Sequence, residues 1–376
     1  MRSVKLLHCA DLHIGTAEST LGTKSQIRQA ETLITFEKII DIARENAVDI
    51  MLIAGDLFNS NLVDKAFFNR VFECFNSIPN TKIVYAAGNH DPLNAESPFK
   101  NRDLPKNLFV MDTKDCYIEF ADLNTRVYGK SFKEVYMQGV ERFSLSTNEA
   151  FINLMCIHGE LKSDLSSNYN SITADFIKNS GMDYIALGHI HKRTDIEKIG
   201  NTYFSYCGCP EGQGFDELGE KGIYLGTVNK NTCELKFVPT AKRIHVAECV
   251  DVSGLGSSNE IADTVISLIK QKYPDNFSDN LYKITLIGNI DDKINLSLTE
   301  IASRLNEVFY FAKLKDKTDI KIDFNTLSQE NTLKGIFVKK MLSRIENATE
   351  GEKDKLKTAL NIGLKAFGAE VTYNEN

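Results

Sequence analysis

The first 90 residues alternate short apolar runs with longer amphipathic stretches, and this alternation limits the fold more than any other feature of the chain. The apolar runs are VKLLHCA, DIMLIAG and TKIVYAA. Amphipathic sequence at residues 26–47 and near residues 64–78 separates them. The order strand, helix, strand, helix, strand is typical of βαβ units, whose strands lie parallel in one sheet. The start of the chain therefore predicts an α/β fold with a mainly parallel sheet.

Further apolar runs follow between residues 126 and 228. They are RVYGKSF, FINLMCIHG, DYIALGHIH, TYFSYCG and GIYLGTV. Less helical sequence lies between these runs, which predicts that this second half is antiparallel or mixed. We therefore expect residues 1–245 to form an α/β sandwich flanked by helices.

The pattern changes after residue 245. Residues 246–324 read as strand, helix, strand, helix and strand, which predicts a second, smaller α/β domain. Residues 325–376 contain two amphipathic helices joined by a turn at Thr349, Glu350 and Gly351. On the first of them, apolar residues at helical spacing are expected to share one face: Leu333, Ile336, Phe337, Met341, Leu342 and Ile345. Packing against the folded core and docking onto a partner both fit these helices.

Composition excludes some classes of protein. A net charge of -7 argues against a protein that coats nucleic acid by bulk electrostatics, although metal ions can still bind phosphate locally. The N-terminus lacks a secretory signal, and no apolar run approaches the roughly 18 residues of a spanning helix. The cysteines lack zinc-ribbon spacing, and Cys207 with Cys209 alone would leave a structural zinc site incomplete. We expect a soluble cytoplasmic protein with reduced thiols and no membrane contact.

Residues that can bind divalent metals follow the apolar runs at five places. The residues are Asp11 and His13 in ADLHIG, Asp56 in AGDLF, Asn89 in GNHDP, His158 in IHGE, and His189 and His191 in GHIH. Open α/β sheets gather their sites at the carboxyl ends of the strands. A lone GD or GNH after a strand is usually a turn. Five such sequences in this order instead indicate a metal site.

The chemistry of phosphate ester hydrolysis explains this mixture of side chains. Two metals about 3.5–4 Å apart can lower the pKa of a shared water and stabilise the attacking and leaving oxygens. A carboxylate must bridge them, and Asp56 is the natural choice. Imidazole, carboxylate and amide donors together favour manganese, iron or zinc over calcium. On an extended chain, residues two apart point to the same side, so Asp11 with His13, and His189 with His191, should converge.

The remaining polar residues near these runs are expected to have other roles. His90 follows the proposed ligand Asn89 and should point away from the metals. It is then free to contact phosphate or to protonate the leaving oxygen, with Asp91 as its orienting partner. His8 should also point away from the ligands and belong to the core, and His245 has no predicted role.

The series DLH, GDLF, GNHD, IHGE and GHIH resembles the five motifs of the calcineurin-like metallophosphoesterase superfamily. The resemblance implies a metallophosphoesterase β-sandwich and two divalent metal ions, with Mn²⁺ the expected metal. It implies that one ion is bound by Asp11, His13, Asp56 and His191. The other ion would be bound by Asp56, Asn89, His158 and His189, and His90 would be the catalytic histidine.

Within that superfamily, the sequence is similar to the DNA-repair exonuclease branch of SbcD-type and YhaO-like nucleases. The similarity lies in KLLHCADLHIG, in CGCPEGQGFDELGEKG soon after GHIH, and in the domain order. It implies that a nuclease domain (1–245) is followed by a capping domain (246–324) that helps to hold DNA. A helical segment (325–376) would then bind the coiled coil of an ABC-type ATPase. The implied activity is 3′ to 5′ hydrolysis of DNA, with endonuclease activity on single strands left open.

Two other functions stay open at this point. A phosphodiesterase for small substrates such as cyclic nucleotides would share the metal site, but it would give no reason for the long C-terminal part. A non-catalytic binding scaffold is the second alternative, and the complete set of ligands counts against it.

The resemblance also leaves a homodimer open, because relatives often dimerise through helices of the nuclease domain. The stretch DKAFFNRVFECFNSI is aromatic enough to supply such a surface. Its core-facing stripe is expected to contain Phe67, Val71, Cys74, Phe75 and Ile78, which leaves Phe68 and Phe72 as the dimer candidates.

Overall fold

The computed structural model describes residues 3–100, 102–139, 143–291, 296–321 and 324–367. Its strands, in chain order, are β1 (Val4–Cys9), β2 (Ile50–Ile53), β3 (Lys82–Tyr85), β4 (Leu108–Val110), β5 (Cys116–Phe120), β6 (Thr125–Lys130), β7 (Ile152–His158), β8 (Glu160–Leu161), β9 (Ser171–Ile172), β10 (Tyr184–Gly188), β11 (Glu197–Ile199), β12 (Thr202–Tyr206), β13 (Gly222–Val228), β14 (Cys233–Pro239), β15 (His245–Asp251), β16 (Leu281–Asp291) and β17 (Phe311–Lys321). Its α-helices are α1 (Ser25–Glu45), α2 (Lys65–Asn76), α3 (Ala174–Asn179), α4 (Ser258–Lys272), α5 (Leu298–Val308), α6 (Phe324–Gln329), α7 (Leu333–Glu346) and α8 (Glu350–Phe367). Short 3-10 helices span Ser19–Lys24 and Ala121–Leu123.

The chain divides into two compact units. The first consists of Met1–Ala247, Ser278–Lys283 and Phe309–Phe311. The second consists of Glu248–Phe277, Ile284–Val308 and Ala312–Asn376. The three-domain division expected from the sequence stays a prediction.

Two six-stranded sheets form the first unit. One has the order β14-β13-β1-β2-β3-β4, in which β1 to β4 pair in parallel and β13 and β14 add antiparallel strands. The other has the order β11-β12-β10-β7-β6-β5, with parallel pairing from β12 to β6 and antiparallel strands at both edges. The expected mainly parallel pairing of the first strands is therefore confirmed, and the second half is mixed as expected, although its strand β13 joins the first sheet.

Successive side chains of a strand point to opposite faces of the sheet, and in both sheets the residues on each face are apolar. Leu6, Leu52 and Val84 from the first sheet share a core with Leu154 and Tyr184 from the second, so the sheets pack face to face. The outer face of the first sheet is covered by α1 and α2, and that of the second by α3. The result is the predicted α/β sandwich flanked by helices.

Helix α2 corrects one expectation about surface residues. Asp64 caps it by accepting a hydrogen bond from the amide of Ala66 at 2.7 Å. Phe68, expected to be exposed for a dimer contact, is only 3% exposed because it packs against Phe58 and Phe99. The segment that carries Phe99 covers this side of the helix, and helical spacing alone does not reveal such a cover. Phe72 keeps partial exposure, and the homodimer stays a prediction.

The second unit contains α4 to α8 and most of a three-stranded sheet in the order β15-β16-β17, whose strands each begin in residues of the first unit. Helices α4 and α5 agree with the predicted helices between the strands. The final strand ends at Lys321, whereas the sequence suggested a strand as far as residue 324, where α6 begins. Ser257 caps α4 through the amide of Glu260.

The two C-terminal helices pack against each other, but not through the whole face that helical spacing predicted. Their shared core consists of Val338 and Met341 from α7 with Leu360 and Leu364 from α8. Leu333 and Ile336, expected on that face, are 74% and 51% exposed. The expected face is therefore buried at its C-terminal end and left exposed at its N-terminal end. In the described part of the chain, no helix has the length and apolar character needed to cross a bilayer.

Candidate metal centre

The candidate ligands lie at or just after the carboxyl ends of five strands in the first unit. Strands β1, β2 and β3 carry Asp11 with His13, Asp56 and Asn89, while β7 and β10 carry His158, His189 and His191. Because β1 to β3 are parallel, and β7 is parallel to β10, their carboxyl ends meet at common edges. The structure brings all seven predicted ligands into one cluster.

The backbone of several ligands is left-handed and not extended. The φ angles are 52° at Asp11, 44° at His13, 50° at Asp56 and 100° at His189. Such angles are uncommon outside glycine and persist where surrounding contacts enforce them, often at functional sites. Here the amides of Asp11 and His13 donate to the carbonyls of Gly55 and Asp56 at 3.1 and 2.9 Å. The expected extended pairing was therefore wrong, because turns beyond the strand ends make these residues converge.

The first half of the cluster contains Asp11, His13 and His191. The Nε2 atoms of His13 and His191 lie 3.1 Å apart. The amide of His189 donates to both carboxylate oxygens of Asp11, at 2.9 and 3.1 Å. Suitable ligand atoms of Asp11, His13 and His191 all lie within 4.8 Å of one another.

The second half contains Asn89, His158 and His189. The Oδ1 atom of Asn89 is 3.0 Å from Nε2 of His158 and 3.1 Å from Nδ1 of His189. His158 is fully buried, and its Nδ1–H donates to the carbonyl of Ala54 at 2.9 Å. Tyr169 covers the other side of His189, with the rings 4.9 Å apart and nearly parallel.

Asp56 lies between the two halves. Its Oδ2 atom is 3.6 Å from Nε2 of His13 in the first half and 3.4 Å from Nε2 of His158 in the second. Its Oδ1 atom accepts the amide hydrogen of His90 at 2.9 Å. One oxygen of Asp56 therefore faces both groups of ligands, as expected for a carboxylate that bridges through a single oxygen.

Several donor atoms of the cluster face one another as acceptors, an arrangement that a divalent cation between them would stabilise. Since Nδ1 of His158 donates to Ala54, its Nε2 carries a lone pair, yet this atom faces the carboxylate of Asp56. Two such acceptors repel each other unless a cation lies between them. Ligands bound at about 2.0–2.2 Å to one metal lie about 3–3.5 Å apart, which matches the separations in both halves. The residues therefore fit a pair of transition-metal ions.

His90 is exposed, and one of its ring nitrogens lies within 4.8 Å of ligand atoms of His13 and Asp56. Its Nδ1 lies 3.3 Å from the carbonyl oxygen of Asn59, and its ring meets that of His13 edge to face at 4.7 Å. Asp91, expected to orient the His90 ring, has another role. Its two carboxylate oxygens accept the amides of Gly88 and Phe58 at 3.0 and 2.9 Å, so it joins the turns after β3 and β2. The carbonyl of Asn59 takes the place that was predicted for Asp91.

Glu217 contacts the candidate ligand His191, and sequence reasoning missed this residue. Its Oε1 lies 2.5 Å from Nδ1 of His191, on the side of the ring away from the ligand cluster. The stretch CGCPEGQGFDELGEKG, which carried part of the family resemblance, contains this residue. That stretch was the available signal, but nothing in its spacing pairs a glutamate with a histidine 26 positions earlier. His8 behaves as expected for a core residue, with its ring nitrogens bonded to Tyr184 and Leu187.

The two halves differ in electrostatics. Burial lowers the pKa values of His158 and His189 to about 4, so both are neutral near pH 7. Burial raises the pKa of Asp11 to about 7, and neighbouring Asp56 and Glu217 contribute. Burial also acts to lower the pKa of His191, but the hydrogen bond to Glu217 and nearby carboxylates raise it to about 9. The first half thus holds protons that a metal must displace.

The fold and this cluster define a class: α/β sandwiches that gather histidine, aspartate and asparagine ligands at the strand ends. The model of the calcineurin-like phosphoesterase family matches residues 4–193, which include every candidate ligand. The chain belongs to this family, which confirms the resemblance noted in the sequence.

Relatives with assigned names agree with the expected branch. The uncharacterized metallophosphoesterase YhaO of Bacillus subtilis is 27% identical over 269 residues, 67% of this chain and 64% of that protein. The DNA double-strand break repair protein Mre11 of Sulfurisphaera tokodaii is 24% identical over 94% of this chain and 91% of that protein. One component of the nuclease SbcCD of Staphylococcus saprophyticus is 20% identical over 87% of this chain and 94% of that protein. This chain thus spans just under two thirds of the Bacillus relative.

Proposed function

We propose that this chain is a metal-dependent nuclease that hydrolyses DNA phosphodiester bonds from 3′ to 5′, together with an ABC-type coiled-coil ATPase. The observation that carries the proposal is the position of Asp56, whose Oδ2 lies within 3.6 Å of a ligand nitrogen from each half. A pair of divalent cations supplies an activated water and stabilises negative charge on phosphate. Mn²⁺ suits the mixed donors.

The residues of the cluster would then have separate roles in metal binding and in proton transfer. Asp11, His13 and His191 would hold one cation, Asn89, His158 and His189 would hold the other, and Asp56 would contact both. His90 donates Nδ1–H to the carbonyl of Asn59, which leaves Nε2 on the exposed side of the ring. In its protonated form, Nε2–H stabilises the charge on the phosphate and donates a proton to the departing 3′ oxygen. Asp91 keeps the turns that carry Asp56 and His90 together.

Two observations support DNA as the substrate. The Mre11 and SbcCD relatives, whose names refer to DNA double-strand break repair and to a nuclease, align over nearly the whole chain. In addition, Lys313, Lys315 and Lys317 are exposed at alternate positions of β17, so they share one side of an edge strand. Such a row can bind successive phosphates without reading base sequence.

The ATPase partner is proposed from the C-terminal helices. Leu333 and Ile336 on α7 and Ile362 and Phe367 on α8 are between 42% and 74% exposed. These apolar side chains lie outside the core that α7 and α8 share. An amphipathic coiled-coil surface would cover them.

The proposal is tested by comparing substrates with the purified chain and Mn²⁺. We expect hydrolysis of a linear duplex labelled at its 3′ end, release of the label first, and loss of activity with a chelator. Cyclic nucleotides should be hydrolysed at least about 100-fold more slowly, a difference of about 2.7 kcal/mol in transition-state binding. Efficient hydrolysis of cyclic nucleotides with an inert duplex would support the small-substrate alternative. Failure to bind any divalent metal would support the scaffold.

A further inference from the structure

His191 lies beyond the end of its strand, and its side chain is 27% exposed. Strand β10 ends at Gly188, and His191 follows the left-handed His189. Its carbonyl instead accepts the amide of Cys209 at 3.2 Å and the Nζ of Lys221 at 3.2 Å. The segment between residues 207 and 221 therefore holds the backbone of His191.

The same segment holds the ring. Oε1 of Glu217 is 2.5 Å from Nδ1 of His191. The other carboxylate oxygen, Oε2, accepts the amide of Gln213 at 2.8 Å and the thiol of Cys209 at 3.2 Å. The side chain of Glu217 is only 12% exposed, so water does not replace these partners freely. These contacts hold the carboxylate of Glu217 in place independently of its contact with His191.

This contact decides the tautomer of the ring. A carboxylate oxygen only accepts hydrogen bonds, so Nδ1 of His191 must carry the hydrogen. In the neutral ring, Nε2 then carries the lone pair, and this atom is the one that faces His13 at 3.1 Å. Metal-binding histidines are commonly oriented in this way by an acceptor on the other nitrogen.

We infer that Glu217 is a positioning residue that presents Nε2 of His191 to the first metal. The inference rests on the metal centre proposed above. It also makes the effect specific to one half, because His158 obtains its tautomer from the carbonyl of Ala54 and does not contact Glu217. Loss of Glu217 should therefore weaken one metal and spare the other.

The metal-free chain is titrated with Mn²⁺. Calorimetry measures the affinity and number of the bound ions, and electron paramagnetic resonance shows whether the ions are coupled. The variants are Glu217→Ala, Glu217→Gln and His191→Ala. Glu220→Ala is the matched control, because Glu220 is an exposed glutamate of the same segment. Circular dichroism checks that each variant is folded.

Wild type and Glu220→Ala should bind two Mn²⁺ with the spectrum of a spin-coupled pair. Glu217→Ala should keep one ion at wild-type affinity and bind the other about 10- to 100-fold more weakly, so that one equivalent gives an uncoupled spectrum. Glu217→Gln should have a smaller effect in the same direction. The side-chain oxygen of the glutamine can still accept Nδ1–H of His191, but its NH₂ group would face the amide N–H of Gln213, and two donors repel each other. Adding Glu217→Ala to His191→Ala should cause no further loss.

Two results would overturn the inference: wild-type affinity for both ions in Glu217→Ala, or an equal loss of both. Should Glu217→Ala not fold, Glu217→Gln decides the matter, and unchanged binding in it overturns the inference. A wild-type chain that binds no Mn²⁺ would instead defeat the proposed metal centre itself. The two failures are thus distinguishable.

Discussion

The two halves of the metal centre hold their histidines in different ways. His158 is the last residue of β7, fully buried, and its ring is fixed by a backbone carbonyl of the neighbouring sheet. The side chain of His191 is 27% exposed, lies beyond the end of β10, and is fixed by the carboxylate of Glu217. The histidine inside the sandwich has a backbone acceptor, whereas the one beyond the strand end has a charged side chain as its acceptor. The carboxylate of Glu217 raises the pKa of His191, whereas the pKa of His158 is lowered by burial.

Replacing Asp56 by alanine should have the largest effect, because this residue belongs to both halves. We expect each Mn²⁺ to bind at least about 100-fold more weakly, beyond the upper end of the loss typical for outer partners of a ligand. Turnover should fall to background. Calorimetric titration counts the ions that remain. Retention of one ion at wild-type affinity would show that Asp56 belongs to a single half.

Replacing His90 by asparagine should separate metal binding from chemistry. His90 borders the first half, but the proposal gives it no bond to either metal, so both Mn²⁺ should bind with nearly unchanged affinity. Turnover should fall by about 10²- to 10⁴-fold, the range for loss of an acid or base group. Single-turnover hydrolysis of a labelled duplex measures the loss. Near wild-type turnover in this variant would remove His90 from the mechanism.

The pH dependence of metal binding should differ between the halves. Protons on Asp11 and His191, with pKa values of about 7 and about 9, compete with the first metal. Its affinity should therefore rise from pH 6 to pH 9, by up to about tenfold per pH unit for each displaced proton. His158 and His189, with pKa values of about 4, are already neutral there, so the second metal should show little change.

Calorimetry in two buffers with different ionisation enthalpies counts the protons released with each ion. Equal proton release from both ions would contradict the difference between the halves. A second metal that weakens below pH 7 as strongly as the first would do the same.

Two glycine replacements should damage one half each, with the smallest effects. A Cβ at Gly55 would lie 2.2 Å from Nδ1 of His158, and one at Gly208 would lie 2.7 Å from the carbonyl oxygen of His191. Gly55→Ala should weaken the second metal and Gly208→Ala the first, each with a loss of stability of about 1–3 kcal/mol. Urea unfolding and Mn²⁺ titration measure both quantities.

Gly15→Ala is the matched control for these replacements. Its φ of 91° is close to the 93° of Gly55, but no atom lies within 4 Å of the added Cβ. It should lose stability from backbone strain alone and keep both metals. Equal metal loss in Gly15→Ala and Gly55→Ala would show that backbone strain, and not the contact with His158, is responsible.

Much of the site could be predicted because its information is local. Each ligand follows an apolar run, and parallel strands must end at a common edge, so Asp11, Asp56 and Asn89 were placed correctly from order alone. Phe68 shows the limit of such reasoning. Its burial depends on a distant segment that carries Phe99, and no periodicity within α2 encodes that cover.

The sequence by itself determined the sandwich and the edge where the seven candidate ligands gather. Strand order and side-chain alternation are short-range properties, which is why a single chain reveals them. Only the tertiary structure decided the left-handed turns at Asp11, His13, Asp56 and His189, the engagement of Asp91 with backbone amides, and the partnership of Glu217 with His191. These depend on hydrogen bonds between segments that are distant along the chain, and such bonds exist only once the two sheets have packed.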